Sequence, residues 1–198
     1  MARPREFDEQ RVLLAVRDEF WDKGYAATSL EDLLRASGLG KGSLYGAFGD
    51  KRSLFLRVLR DYDDANLLKL RENLASAARG IDMVRAFLLS PTVDPTGAVA
   101  RRGCLLANSN AELAASTPDV AAEARRSYDA ITDILAEALE RAQREGDLSP
   151  DADPAETARA VLVAQLGLTA LGRTGMDVDA LTKAAQSTIE RLLPAPAQ

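Results

Sequence analysis

The architecture of this chain turns on the run TSLEDLLRASGLGKGSLYGAF, residues 28–48. Thr28 can open a helix: its hydroxyl takes a free backbone amide while Glu31 reaches back, the Thr-x-x-Glu capping box. Leu30, Leu33 and Leu34 then recur at helical spacing and form an inward face. Gly38, Gly40 and Gly42 follow in quick succession and suit a sharp reversal at positive φ. A short helix over Gly42–Phe48 comes directly after, with Leu44 and Phe48 turned inward against Leu30, Leu33 and Val16. Helix, tight turn and short helix is the form in which the first helix braces on the DNA backbone and the second enters the major groove. The same run also fits a helical hairpin whose glycines only permit close packing.

The flanks continue the helical pattern. Upstream, Leu13, Val16 and Phe20 are spaced as one helix face from about Asp8, and Gly24 stops it. Downstream, Asp50 can cap a longer helix carrying Leu54, Phe55, Val58, Leu59 and Tyr62 towards Ala75, which links two parts of the molecule. Further helices are expected over Asp82–Leu89, about Arg102–Ala114, from Thr117-Pro118 to Gly146, over Glu156–Gly172 and from Val178 to about Leu193. Thr117 supplies a capping hydroxyl ahead of proline. Ser90–Gly97, with Pro91 and Pro95, reads as a loop. No alternating strand pattern of useful length occurs, so the predicted class is all-α. The sequence predicts about nine helices, with a helix-turn-helix domain over residues 1–50 and a larger helical domain over 51–198.

Composition narrows the function. The 198 residues are 46% hydrophobic and 28% charged, which predicts a packed core. The absence of histidine and the presence of one cysteine, Cys104, remove the usual zinc sites, a Ser-His-Asp triad and any internal disulfide. No phosphate-binding glycine loop with its lysine and no nucleophile beside a base is found. No catalytic residue, metal or cofactor is therefore expected. The net charge of −5 is unevenly spread: residues 1–60 hold 11 basic against 9 acidic side chains (+2), and residues 61–198 hold 14 against 21 (−7). A mildly basic N-terminal part is compatible with DNA. The most apolar stretch, Ala158–Leu171, is too short to span a bilayer and contains Arg159 and Gln165. The first ten residues are rich in charge, so the expected address is the cytoplasm.

Gly24-Tyr25, Thr28-Ser29-Leu30 and Lys41-Gly42-Ser43-Leu44-Tyr45 with Phe48 and Lys51 together resemble the DNA-binding head of the TetR family. The resemblance covers roughly residues 7–60. It implies a repressor acting on double-stranded, palindromic operator DNA, with contacts from Thr28 or Ser29, Lys41, Ser43, Tyr45 and Lys51, the last two mainly to phosphates. Gly42 and Gly46 would let the recognition helix approach the groove closely. Gly46 and Ala47 depart from the histidine, asparagine or aromatic residue that family members often carry there. The resemblance further implies a homodimer built through residues 156–172 and 178–193, and a small-molecule effector held by the middle helices. Val161, Leu162, Leu166, Leu168 and Leu171 agree, being apolar on more than one face, although an internal core helix would look similar. Phe87, Leu88, Leu105, Leu106, Leu113, Tyr128 and Leu135 can line an effector pocket or be ordinary core. Cys104 follows Arg101 and Arg102 near a helix start, which favours thiolate and suits oxidant or electrophile sensing; it fits equally as a small buried hydrophobe. A ligand carrier without DNA binding, and an activator or architectural protein with the same head, remain open alternatives.

Overall fold

In the computed structural model, residues 7–193 are described and are helical throughout, with no strand among them. The N-terminal helices are α1 (Glu9–Lys23), α2 (Leu30–Ser37) and α3 (Lys41–Phe48). After them come α4 (Lys51–Ser76), α5 (Gly80–Leu89), a 3₁₀ turn (Ser90–Thr92), α6 (Ala98–Arg102) and α7 (Leu105–Leu113). The chain ends in α8 (Pro118–Arg144), α9 (Pro154–Arg173) and α10 (Val178–Leu192). No helix of the described residues is long and apolar enough to cross a membrane.

Two apolar clusters organise the packing. Val12, Val16, Phe20, Leu33, Leu44, Leu54, Phe55, Val58 and Leu59 form one, and Leu105, Leu106, Val120 and Ala124 reach into it from α7 and α8. Ile81, Val84, Leu88, Leu135, Leu139, Val161 and Leu181 build the other, around α5, α8, α9 and α10. Helix α4 serves both: Leu54, Phe55, Val58 and Leu59 belong to the first and Leu74 to the second.

Several local expectations are corrected. The cap of α2 is Ser29, not Thr28: the Ser29 hydroxyl accepts the Asp32 amide at 3.1 Å and the Asp32 carboxylate accepts the Ser29 amide at 2.9 Å. The box is therefore one residue later than read, with Asp in place of Glu. Thr28 instead turns inward, 1% exposed, and its hydroxyl donates to the Gly24 carbonyl at 2.6 Å. In the glycine turn only Gly38 has positive φ, at 68°; Gly40 is extended and Gly42 lies inside α3. Thr117 makes no side-chain cap. The helix expected from about Arg102 begins at Leu105, and an unexpected short helix, α6, precedes it and stops at Gly103. There the Arg102 carbonyl leaves the helical ladder and accepts Trp21 Nε1 at 3.1 Å and Asn108 Nδ2 at 3.0 Å.

Candidate DNA interface and effector cavity

The three N-terminal helices place α3 by its buried side. Leu44 is 0% exposed inside the first cluster, and Phe48 packs near Phe7 at 6.2 Å between ring centroids. This fixes the rotation of α3, so Lys41, Gly42, Ser43 and Gly46 are exposed while Tyr45 is half-buried. Ser29 is exposed at the start of α2. Helix α2 is tied to α1 by charge: Asp32 accepts Lys23 Nζ and Arg35 Nη2, both at 2.6 Å. The Lys23 ammonium, followed by the Ser29 backbone and hydroxyl, holds the Asp32 carboxyl well below the usual range. Lys51, the first residue of α4, lies with Nζ 4.5 Å from the Tyr25 ring centroid, and that ring rests on Phe55 and Phe20. Of the sequence-predicted DNA residues, Ser29, Lys41, Gly42 and Ser43 thus open to solvent, Tyr45 and Lys51 are partly covered, and Thr28 is enclosed.

Polar joints fasten these helices to the rest. The Glu112 carboxylate accepts the Tyr25 and Ala26 amides at 3.0 and 2.8 Å, closing the turn after α1. Arg52 pairs with Asp119 at 2.6 Å. Arg102 sits 4.3 Å from the Trp21 ring centroid, between Asp18 at 2.8 Å and Asp22 at 2.9 Å, and so grips α1 through both charge and a cation–π contact.

Behind that grip is a cavity of about 830 Å³, whose wall includes Trp21 from α1, Tyr62 and Asp63 from α4, Phe87 from α5, Cys104, Tyr128 from α8 and Leu162 from α9. Of the sequence-predicted pocket residues, Phe87, Leu106 and Tyr128 line it. Leu88, Leu105 and Leu135 are packed core, and Leu113 borders the first cluster. Cys104 is half-buried at the N-cap position of α7 and accepts the Tyr62 hydroxyl at 3.7 Å. Burial, followed by the neighbouring Cys104, pushes the Tyr62 phenol far up; burial likewise pushes Tyr128 up to about 12. Both stay protonated at neutral pH. Asp63 is 3% exposed: Ser127 donates to one carboxylate oxygen and Arg126 to the other. Burial raises the Asp63 pKa despite these partners.

The fold has counterparts among known proteins. Residues 12–58 match the family described as bacterial regulatory proteins, tetR family, and residues 80–188 match the tetracyclin repressor-like C-terminal domain. The chain belongs to the TetR family. This TetR-family regulator is 31% identical over 185 residues to the HTH-type transcriptional regulator YezE of Bacillus subtilis, covering 91% of this chain and 94% of that one. It is 28% identical to the HTH-type transcriptional repressor ComR of Escherichia coli, covering 97% and 91%. Among solved structures, a TetR-family regulator from Cytophaga hutchinsonii superposes with a TM-score of 0.86 at 20% identity, over 100% of this chain and 99% of that one. A cysteine mutant of the TetR-family regulator CifR, complexed with 26-bp double-strand operator DNA, superposes with a TM-score of 0.79 at 27% identity, covering 95% and 98%. The chain is thus a transcriptional regulator with an N-terminal helix-turn-helix.

Sequence reasoning on this TetR-family chain missed Trp21, Arg102, Glu112 and Asp63. The first three act across separations of 80 residues or more, for which no local spacing gives a sign. Asp63 stands in an α4 stretch, Asp61-Tyr62-Asp63-Asp64, whose acids look alike until packing buries one.

Proposed function

We propose that the protein is a homodimeric repressor that grips a palindromic operator with two copies of α3 and lets go when a small molecule fills the cavity. The observation that carries this reading is the exposed polar side of α3, Lys41 to Gly46, held rigidly outward by fully buried Leu44. Lys41 and Ser43 would meet base edges, Ser29, Tyr45 and Lys51 would meet phosphates, and Gly42 would permit close approach. Residues 1–50 then act as the DNA-binding unit and 51–198 as the effector and dimerisation unit.

Dimerisation through 156–172 and 178–193 is supported by an apolar stripe on the outer side of α9. Val163 is 70% exposed and Leu171 42%, with Gly167 exposed between them, while Val161, Leu162 and Leu168 face the core. Two-fold symmetry would set both recognition helices about one DNA turn apart. Gly172 does not belong to this surface, because a Cβ there would stand 3.0 Å from Ala100 Cβ in α6. The DNA-releasing transition would follow from contact between the cavity and α1 through Trp21 and Arg102, and with α4 through Tyr62 and Asp63. A thiol modification at Cys104 would act in the same wall.

The test is selection of bound fragments from sheared source-genome DNA, followed by a salt titration on the best fragment. A palindromic site whose affinity falls as salt rises, and is lost in Tyr45→Ala, is the expected result. Failure to enrich any fragment at low salt would overturn the repressor reading.

A further inference from the structure

The charges around the cavity restrict what can enter it. Most of its wall is apolar, with Leu67, Leu70, Met83, Phe87, Ile131 and Leu162 contributing. Its polar groups are mostly committed already. The Tyr62 hydroxyl donates to Cys104 Sγ, Ser127 donates to Asp63, and Arg126 holds the second Asp63 oxygen at 2.8 Å while also pairing with Asp64 and Glu123. Among the described residues, no group hydrogen-bonds the Tyr128 hydroxyl, which keeps both a donor and an acceptor for a guest, and the buried Gln165 Oε1 of the same wall also lacks a partner.

No buried cation in the wall is free for an anion. Arg102 is consumed by Asp18, Asp22 and the Trp21 face. The other charged side chains of the wall besides Asp63, namely Lys69 and Asp82, are solvent-exposed and opposite in sign. The buried carboxyl of the wall is Asp63, in a cluster where Asp63, Asp64 and Glu123 outnumber Arg126 and Arg60, so an entering carboxylate or phosphate would lose its hydration beside net negative charge. An ammonium would lose its hydration beside a carboxylate whose two oxygens Ser127 and Arg126 already occupy.

We infer that the cavity binds an uncharged, mainly apolar ligand with one hydrogen-bonding head group, which docks on Tyr128, and that it rejects carboxylates and other anions. This rests on the effector reading above.

The probes are decan-1-ol, decylammonium and decanoate, which share one tail and differ in the head group. Trp21, the only tryptophan of the chain and a residue of the cavity wall, reports occupancy by its fluorescence in the full-length protein. Decanol should shift Trp21 emission with the highest affinity, and decanoate should bind about tenfold more weakly or worse. Tyr128→Phe should weaken decanol by several-fold to about tenfold while leaving the fold unchanged. Asp63→Asn should narrow the gap between decanoate and decanol. Decanoate binding as tightly as decanol would overturn this inference and leave the effector reading standing. If none of the three binds, both fall. Decanol that binds without releasing the selected DNA fragment would support the ligand class and overturn the effector reading.

Discussion

Thr28 and Ser29 are neighbours in sequence with opposite surroundings. The Thr28 hydroxyl closes the turn after α1 from inside, and Ser29 stands outside at the start of α2. Thr28→Val should lower stability by about 1 kcal/mol, the usual worth of one hydrogen bond, and leave DNA affinity of the folded protein unchanged. Ser29→Gly keeps a tolerable cap and should weaken DNA binding alone. Thermal denaturation and fluorescence anisotropy with the selected fragment separate the two effects. Gly46 offers a sharper contrast. It is helical and exposed, and a Cβ there would meet nothing within 4 Å, so no packing in the chain accounts for glycine. Gly46→Ala should therefore stabilise α3 by about 0.5–1 kcal/mol while reducing operator affinity, because the added methyl group stands where DNA would come close. A variant that gains stability and keeps its affinity would refute the close-approach role. Lys51→Ala should shrink the log–log salt slope of binding by about 1 if its ammonium leaves the Tyr25 face for a phosphate.

Elements of this protein that follow from local chemistry could be read directly. Helix α1 begins beside Asp8, close to the expected position, and ends at Gly24, and α4 is capped by Asp50 as expected, because caps and periodic leucines act within a few residues. The α2 cap was misplaced by one position because Thr28-x-x-Glu31 and Ser29-x-x-Asp32 are both valid capping boxes. Thr28 instead bonds back to the Gly24 carbonyl, four residues earlier, in the turn after α1. The stop at Gly103, where φ is 70°, is a local glycine signal that the expected helix runs across; the Arg102 carbonyl freed there accepts the indole of Trp21, 81 residues upstream. At this scale, Asp32 predicts an acid response. Its folded pKa lies below the unfolded value, so its contribution is complete above the ordinary carboxylate range and disappears as pH falls through the folded pKa. The α1–α2 unit should hold until strongly acid pH. Asp32→Asn should already be less stable at neutral pH and should show a flatter acid limb in circular dichroism. For α9, Val163→Glu should convert the proposed dimer to monomer in analytical ultracentrifugation, whereas Val161→Ala should cost about 1–3 kcal/mol of fold stability without that change.

Across the whole molecule, the acidic body and mildly basic N-terminal part give a polarity that orients encounter with DNA, and the low overall charge argues for a local patch over general nucleic-acid affinity. The long helix α4 belongs to both apolar clusters and also contributes Tyr62 and Asp63 to the cavity. As 26 residues of continuous helix it is a rod about 39 Å long. Pivoting such a rod by about 5° at one end carries the other through about 3 Å, roughly twice the rise per residue. A cavity guest therefore need not cause a large rearrangement: a tilt of a few degrees where α4 lines the cavity becomes, at the operator, the difference between a helix seated in a groove and one riding on its edge.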